Sequence, residues 1–223
     1  AKQQILKHYT NYSIVHIIIN NYKIDNIDYS DLPDEIKCHF ISLDIIFICL
    51  PSDLILYFKN IFSKINIFIN QIICSSYVKS INYKNDISST GHISFIDIGF
   101  KKTSIISYSN DKIIFLDTLP VGGNHITKDI SKILDLDIKK SEQIKLNFRQ
   151  NHQLLNETNT SIEVLQKIIA SRVEEIIELC TKSIESNSFI LGQSKMVLMG
   201  DGSKILGNGH EDKISIPNNF DYL

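Results

Sequence analysis

No stretch of this 223-residue chain is apolar for long enough to cross a bilayer. The best candidate, ISLDIIFICL from Ile41 to Leu50, contains Asp44, stops at Pro51 and falls well short of the roughly 20 residues a helical span needs. It is read as a buried strand or strand pair. Excess charge is missing too. Twenty-three Lys and Arg face 25 Asp and Glu, a net charge of -2, which gives no broad electrostatic attraction to nucleic acid or to an anionic membrane. Metal-binding spacings are absent: His8, His16, His39, His92, His125, His152 and His210 form no HxxxH or HxH pair, which argues against a metal hydrolase. Cys38, Cys49, Cys74 and Cys180 make no CxxC and sit among apolar residues. They are expected to be buried free thiols, which places the chain in a reducing, cytoplasmic compartment. No signal peptide is visible, and a chain that opens at Ala1 rather than Met is expected to continue upstream.

What is present is enough apolar material, 43% of residues, to build one large domain or two lobes. Asn, Ile, Lys and Ser are abundant along the whole chain, so the sequons between Asn156 and Ser161 carry little weight. SIVHIIIN, Ser13–Asn20, is β-branched and predicts a strand; Lys37–Leu50 predicts one or two more. Behind Ser52 as an expected N-cap, Leu54, Tyr57, Phe58, Ile61 and Phe62 recur at helical spacing. An apolar stretch, Ile65–Cys74, precedes a short helix. The polar segment NYKNDISSTG, Asn82–Gly91, is expected to be a linker and boundary.

Beyond it, His92–Asp97, Thr103–Ser109 and Lys112–Pro120 predict three strands in an antiparallel meander, the second turn formed by Asn110 and Asp111. Helices are predicted from Asn124 to about Leu134, from about Ile138 to Phe148 and, after a polar gap at Arg149–Thr160, from Ser161 to about Glu185. In the last, Ile162, Leu165, Ile169, Val173, Ile176, Cys180 and Ile184 mark one face, while Glu163, Lys167, Glu174, Glu178 and Lys182 lie elsewhere. KMVLM, Lys195–Met199, then runs as a strand into GDGS. A meander, then helices, then a strand ending in glycines is half of a ribonuclease H-like or actin-like α/β lobe, with a mixed sheet and flanking helices.

FIDIGFKKTS, Phe95–Ser104, is the turn with the most chemistry in it. Gly99 lets the backbone bend toward a ligand, Thr103 or Ser104 can donate to phosphate, Lys101 or Lys102 can neutralise charge, and Asp97 can hold the hydrated Mg²⁺ that accompanies a nucleotide. A turn of one glycine and two lysines is ordinarily only a solvated hairpin. It gains meaning from company. LPVGGNHITKDI, Leu119–Ile130, places two glycines where a strand enters a helix, with Asn124 an expected cap; SEQIKL puts Glu142 and Lys145 on one helical face; VLMGDGSKILG, Val197–Gly207, is another strand-to-glycine transition. Each has an innocent explanation as a cap, an ion pair or a tight turn. Their recurrence at strand ends favours a nucleotide cleft.

From about His92 to Gly207 the wording resembles the second lobe of the bacterial cell division FtsA family, within the actin and Hsp70 superfamily. That family commonly shows an Asp-Ile-Gly turn with a following Thr, PVGG.H.T.DI, AE..K, R.EEI and GGGS segments. They are matched here by Asp97, Ile98, Gly99 and Thr103; by Pro120–Ile130; by Glu142 and Lys145; by Arg172, Glu174, Glu175 and Ile176; and by Gly200, Gly202 and Ser203. Ile14–Asp25 is similar to the segment that opens the family's extra subdomain, and Cys74–Ile81 stands where the chain returns to the first lobe.

The resemblance implies residues 1–75 as part of that subdomain with its return segment, and 76–223 as the second lobe, with a helical outer part at about 149–187. It implies ATP and Mg²⁺ as cofactors: Asp97, Gly99 and Thr103 as the second phosphate turn, Gly122 and Gly123 lining the cleft, Glu142 and Lys145 at ribose and adenine, and Gly200, Gly202 and Ser203 at adenosine. It further implies a scaffold at the inner face of the membrane at the division site. That scaffold would receive the FtsZ C-terminal tail near the long helix through charged positions such as Arg172 or Lys182, associate with itself into filaments and meet other division proteins. No nucleic acid partner is implied, and membrane contact would come from a segment outside this chain. Phe100, Lys101 and Lys102 replace small residues and Asp201 replaces a glycine, changes expected to weaken ATP binding. With no first phosphate turn upstream, hydrolysis by this chain is expected to be poor or absent. The competing readings are a pilus-assembly type of actin-like ATPase, against which VHIIINNYKID argues, and a ribonuclease H-like nuclease using Asp97 with Glu142 or Asp201 on two metals.

Overall fold

The computed structural model describes residues 2–87, 91–147, 161–186, 195–205 and 220–222. The polar gap at Arg149–Thr160, and Phe148, His152, Gly207 and His210, lie outside them. The chain divides into two compact units, residues 1–82 and 83–223.

The first unit opens with helix α1 (Lys2–His8) and contains strands β1 (Tyr12–Ile24), β2 (Ile27–Tyr29) and β3 (Ile41–Pro51) in the antiparallel order β2-β1-β3. Asp25 and Asn26 join β1 to β2 with φ of 45° and 71°. Two left-handed residues give the primed turn whose twist matches a hairpin, and Asn and Asp tolerate it through local hydrogen bonding. The Asp25 carboxylate also accepts the N–H groups of His39 (3.1 Å) and Phe40 (2.9 Å), so it anchors the loop leading into β3. The segment from Lys37 forms one strand, beginning at Ile41, rather than two.

Helix α2 (Ser52–Ser63) starts one residue earlier than a Ser52 cap requires. Pro51 takes the N-cap position, as fits a residue with fixed φ, and the Ser52 hydroxyl pairs with Ser13 Oγ at 2.8 Å instead. Helix α3 (Ser75–Asp86) carries the division between the units and consumes half of the expected linker. The reason lies in Lys84, which reaches the Asp111 carbonyl (3.2 Å) and carboxylate (3.0 Å) and lies 5.1 Å from the centre of the Tyr108 ring. Those contacts hold the last helical turn where polar composition alone predicted coil. His16 is a packing residue: its Nε2 accepts the Cys74 N–H at 2.9 Å and its ring meets Tyr77 edge-on.

The second unit is built on a five-stranded sheet. Strands β4 (His92–Ile98), β5 (Thr103–Ser109) and β6 (Lys112–Leu119) form the antiparallel meander, and β7 (Lys195–Met199) and β8 (Phe220–Tyr222) add in parallel, in the order β6-β5-β4-β7-β8. The mixed sheet of the expected α/β lobe is therefore present. Asn110 and Asp111, at φ 46° and 69°, make the β5–β6 turn. Strand β4 is buried on both faces from Ile93 onward, as its central place demands, and its one hydroxyl, on Ser94, is satisfied by Ser107 Oγ at 2.7 Å.

Helices α4 (Gly123–Leu134), α5 (Ile138–Asn147) and α6 (Ile162–Glu185) pack on this sheet. Leu165, Ile169, Val173, Ile176, Cys180 and Ile184 of α6 are buried, joined by Ile168 and Ile177, against Ile126 and Ile130 of α4, Ile144 of α5 and Ile96, Ile98, Ile105 and Leu198 of the sheet. Glu163, Lys167, Glu174, Glu178 and Lys182 are exposed.

All four cysteines are free, but the expectation of burial holds only for Cys180; Cys49 and Cys74 are half-buried and Cys38, in the β2–β3 loop, is exposed. Desolvation in the core, with the nearby Asp117 carboxylate adding to it, pushes the Cys180 thiol up to about 12. A thiol pKa raised by folding stabilises the native state below the unfolded value of 9.0 and loses that contribution as pH rises from there toward 12. A thiol-reactive dye at neutral pH is thus expected to label Cys38 rapidly and Cys180 only on unfolding. Equal labelling rates for the two would contradict this core.

Candidate functional site

The glycine-bearing turns meet. Strand β4 ends at Ile98, and the turn Gly99–Lys102 is closed by the Gly99 N–H donating to the Lys102 carbonyl at 2.9 Å. Onto that turn packs the start of α4: Gly123 N–H donates to Gly99 O (2.9 Å) and Asn124 N–H to Phe100 O (2.7 Å). From the parallel neighbour β7, the Gly202 N–H donates to Ile98 O at 2.9 Å. Gly123 also approaches Gly202, for a Cβ on Gly123 would stand 3.9 Å from the Gly202 Cα. Segments some hundred residues apart thus share one location at the C-terminal ends of β4 and β7, where open α/β sheets collect ligands.

Glycine is required at two of these positions for different reasons. Gly122 is extended, at φ -172°, so its backbone is ordinary; what it lacks is room, since a Cβ would lie 2.5 Å from Gly99 O and 2.9 Å from Lys102 N. Gly200 sits at φ 91°, where L side chains are rarely found, and a Cβ there would overlap the Asp97 carboxylate and come 2.8 Å from Ile98 O. Asp97 is 6% exposed, so its carboxylate is held beneath the β7 turn.

The expected cap of α4 is displaced by two residues. Gly122 occupies the cap position, and His125 reaches back so that its Nδ1 accepts the Gly122 N–H at 3.2 Å, while its own N–H donates to Gly122 O at 2.9 Å. This is a capping box made by a histidine and a backbone carbonyl.

Thr103 is buried, and its hydroxyl donates to the Val121 carbonyl at 2.7 Å. Ser203 is also buried, with Oγ donating to Gly200 O at 2.7 Å. Both hydroxyls tie turns together. Glu142 and Lys145 stand beside α4: Lys145 Nζ donates to Gly123 O (3.1 Å), Thr127 Oγ1 (2.9 Å) and Glu142 Oε2 (2.8 Å), and the Thr127 hydroxyl donates to the same Glu142 oxygen. With its side chain 9% exposed, Lys145 uses its three protons inside the protein. Thr127 was not legible as part of this group. Its sequence signals are its place as the T of the PVGG.H.T.DI match and a hydroxyl one turn after Gly123, on the buried face of α4.

Arg172 is equally committed. Its Nε and Nη2 grip Asp129 of α4 at 2.5 and 3.0 Å, and Nη1 meets Glu175 at 2.5 Å, so the Asp129 hydrogen bonds push its pKa further up. Lys182 remains at the surface, paired with Glu178 one helical turn away. Asp201 is paired with Lys204 at 2.6 Å, which offsets the charge it brings to the β7 turn. Among the described residues no three His, Cys, Asp or Glu side chains are grouped to hold a metal ion.

The family profile described as "Cell division protein FtsA" matches residues 94–206, about half of the chain and the part that carries every turn above. The chain belongs to the FtsA family. A curated FtsA from Streptococcus pneumoniae serotype 2 (strain D39 / NCTC 7466) is 30% identical over 125 residues, covering 50% of this chain. The chain spans 27 to 33% of the length of the FtsA relatives from that species, Agrobacterium fabrum and Buchnera aphidicola. Among solved structures, one titled "PilM-PilN type IV pilus biogenesis complex" aligns with TM-score 0.70 at 13% identity, over 100% of this chain and 60% of that one. MreB 5 of Spiroplasma citri, bound to AMPPNP, aligns with TM-score 0.51 at 16% identity, over 69% of this chain and 54% of that one. At such identities these two speak to fold, and the fold is actin-like.

Proposed function

We propose that this FtsA-family chain is part of a division scaffold that binds ATP with Mg²⁺ as an assembly cofactor. In this reading it links FtsZ filaments to the inner face of the membrane, with other division proteins and further copies of itself. The observation that carries the reading is the convergence of the Gly99, Gly122–Gly123 and Gly200–Gly202 turns at the ends of neighbouring strands. Membership of the family supports it, as does an actin-like neighbour solved with AMPPNP.

In this reading Asp97, under the β7 turn, would position water on a bound Mg²⁺, whose role would be to neutralise the polyphosphate. The Gly200–Ser203 turn would face adenosine. Glu142 is 30% exposed; its Oε2 is taken by Lys145 and Thr127 and its Oε1 has no partner among the described residues, so it would accept from a ribose hydroxyl. Lys145 then positions Glu142 rather than touching the base. Residues 1–75 would form part of the family's extra subdomain, and the helical region at about 149–187 would receive the FtsZ tail. Because Arg172 is held by Asp129 and Glu175, Lys182 is the better placed of the two charged candidates.

The test is ATP binding by the full-length protein with Asp97→Ala and, to preserve shape, Asp97→Asn. Each is expected to weaken Mg²⁺-dependent ATP binding by about tenfold or more, the worth of one charged contact. Unchanged affinity in a folded Asp97→Asn protein would show that the phosphate-turn assignment is wrong. Binding of an FtsZ C-terminal peptide separates this reading from the pilus-assembly alternative.

A further inference from the structure

We propose that Thr127 is a positioning residue: it holds Glu142 in place for a sugar hydroxyl and so gives this chain a preference for ribonucleotides over deoxyribonucleotides. The proposal rests on the nucleotide reading above, in which Glu142 meets the sugar, and adds the group that aims it. Thr127 itself touches no ligand. Glu142 stands on α5 with its side chain 30% exposed, a setting in which a lone carboxylate keeps its rotamer freedom. Two buried donors remove that freedom by taking one of its oxygens. Lys145, its side chain 9% exposed, donates to Oε2 at 2.8 Å, and the hydroxyl of Thr127, a residue 1% exposed on α4, donates to the same atom.

Thr127 has a single hydroxyl proton and two acceptors in reach, Glu142 and the Gly123 carbonyl at 3.3 Å. The carboxylate takes it, because it is charged and because Gly123 O already receives Lys145 at 3.1 Å. The Thr127 oxygen in turn accepts from Lys145 at 2.9 Å. Each of the three groups is thus bonded to the other two, and a satisfied network of this kind rigidifies its members. It sits where the glycine turns meet: a Cβ on Gly123 would lie 3.8 Å from Lys145 Nζ and 3.9 Å from the Gly202 Cα. Glu142 Oε1, without a partner among the described residues, is therefore a fixed anionic acceptor beside those turns. An acceptor with nothing to donate gains from a hydroxyl and not from a C–H. A site sealed around a hydroxyl rejects the analogue lacking it by roughly ten-thousandfold or more; at 30% exposure water replaces the missing group, and about tenfold remains.

The experiment measures binding of ATP, 2′-deoxy-ATP and 3′-deoxy-ATP to the full-length protein, for wild type, Thr127→Val and Thr127→Ser, with circular dichroism to verify the fold. Valine keeps the shape and removes the hydroxyl; serine keeps the hydroxyl. Wild type is expected to bind ATP about tenfold more tightly than at least one of the deoxynucleotides. Thr127→Val should bind ATP more weakly and that deoxynucleotide as before, leaving a preference of about threefold or less, and Thr127→Ser should restore the full preference. Thr127→Ala is read in the same way should the valine protein not fold. An unchanged preference in Thr127→Val, or a loss of affinity by the same factor for all three nucleotides, would overturn the positioning role and leave the nucleotide reading standing. Equal affinity of wild type for the three would overturn the sugar contact and the proposal with it, while ATP binding itself stood. Absence of binding of any of them by wild type would overturn both.

Discussion

Gly122→Ala is expected to lower the melting temperature by roughly 6 to 12 °C, the size of shift that about 3 kcal/mol produces in a domain of this length. The cause is space, since φ of -172° is open to any residue. A methyl group at this site would face three backbone atoms of one turn: Gly99 O at 2.5 Å, Lys102 N at 2.9 Å and Phe100 O at 3.0 Å. Backbone cannot rotate aside as a side chain does, so α4 and the β4–β5 turn must part. The bonds lost are Gly123 N–H to Gly99 O and Asn124 N–H to Phe100 O, worth about 1 kcal/mol each, and the residual overlap adds about as much again. ATP binding should fall with stability because the same separation opens the candidate cleft. A melting temperature within about 2 °C of wild type, less than a loss of 1 kcal/mol would give, would show that the two turns are not in contact.

Lys145→Met is the second large effect. The ammonium lies under a 9% exposed side chain and serves three acceptors. Methionine fills most of the volume but leaves Glu142 Oε2 with only the Thr127 hydroxyl and leaves the Gly123 carbonyl one donor short. Stripping one partner from a buried pair costs about 3 to 5 kcal/mol, and the 30% exposure of Glu142 places this case at the lower end, near 3. The companion variant Glu142→Gln/Lys145→Met should recover more than half of that loss, because the orphaned charge is what hurts. Chemical denaturation of the four proteins in the cycle measures it. A coupling below about 0.5 kcal/mol, within the error of additivity, would mean that the pair is linked only in appearance.

Both predictions concern how turns lean on each other, and that is where the sequence was least explicit. The meander at 92–119, the amphipathic face of α6 and the primed turn at Asn110–Asp111 were legible because local rules govern them: period 2 in strands, period 3.6 in helices, and Asn-Asp at left-handed positions. Expectations failed where a distant residue overrode composition. Asn82–Asp86 is helical because Lys84 reaches Asp111 and Tyr108, and α4 is capped by Gly122 and His125 instead of Asn124. Cys38 lies in an exposed loop because apolar neighbours in sequence are not neighbours in a core.

The candidate site divides in the same way. Asp97, the glycine positions, Glu142 and Lys145 could be picked from the sequence because glycine at a strand end and a charged pair three apart are local signals. Which donors are still free to meet a ligand could not, because a hydroxyl or N–H is spent by whatever acceptor the fold brings to it. Thr103 shows the difference: as a letter it is a phosphate donor, and in the fold its proton belongs to Val121. The amino-acid order by itself determined an actin-like lobe of the FtsA family and the identities of its turns. Only tertiary structure decided that those turns touch, that Thr127 links Glu142 to Lys145, and that the hydroxyls of Thr103 and Ser203 are spent within the turns. Hydrogen-bond saturation is a property of neighbours in space, and spacing along a chain does not encode it.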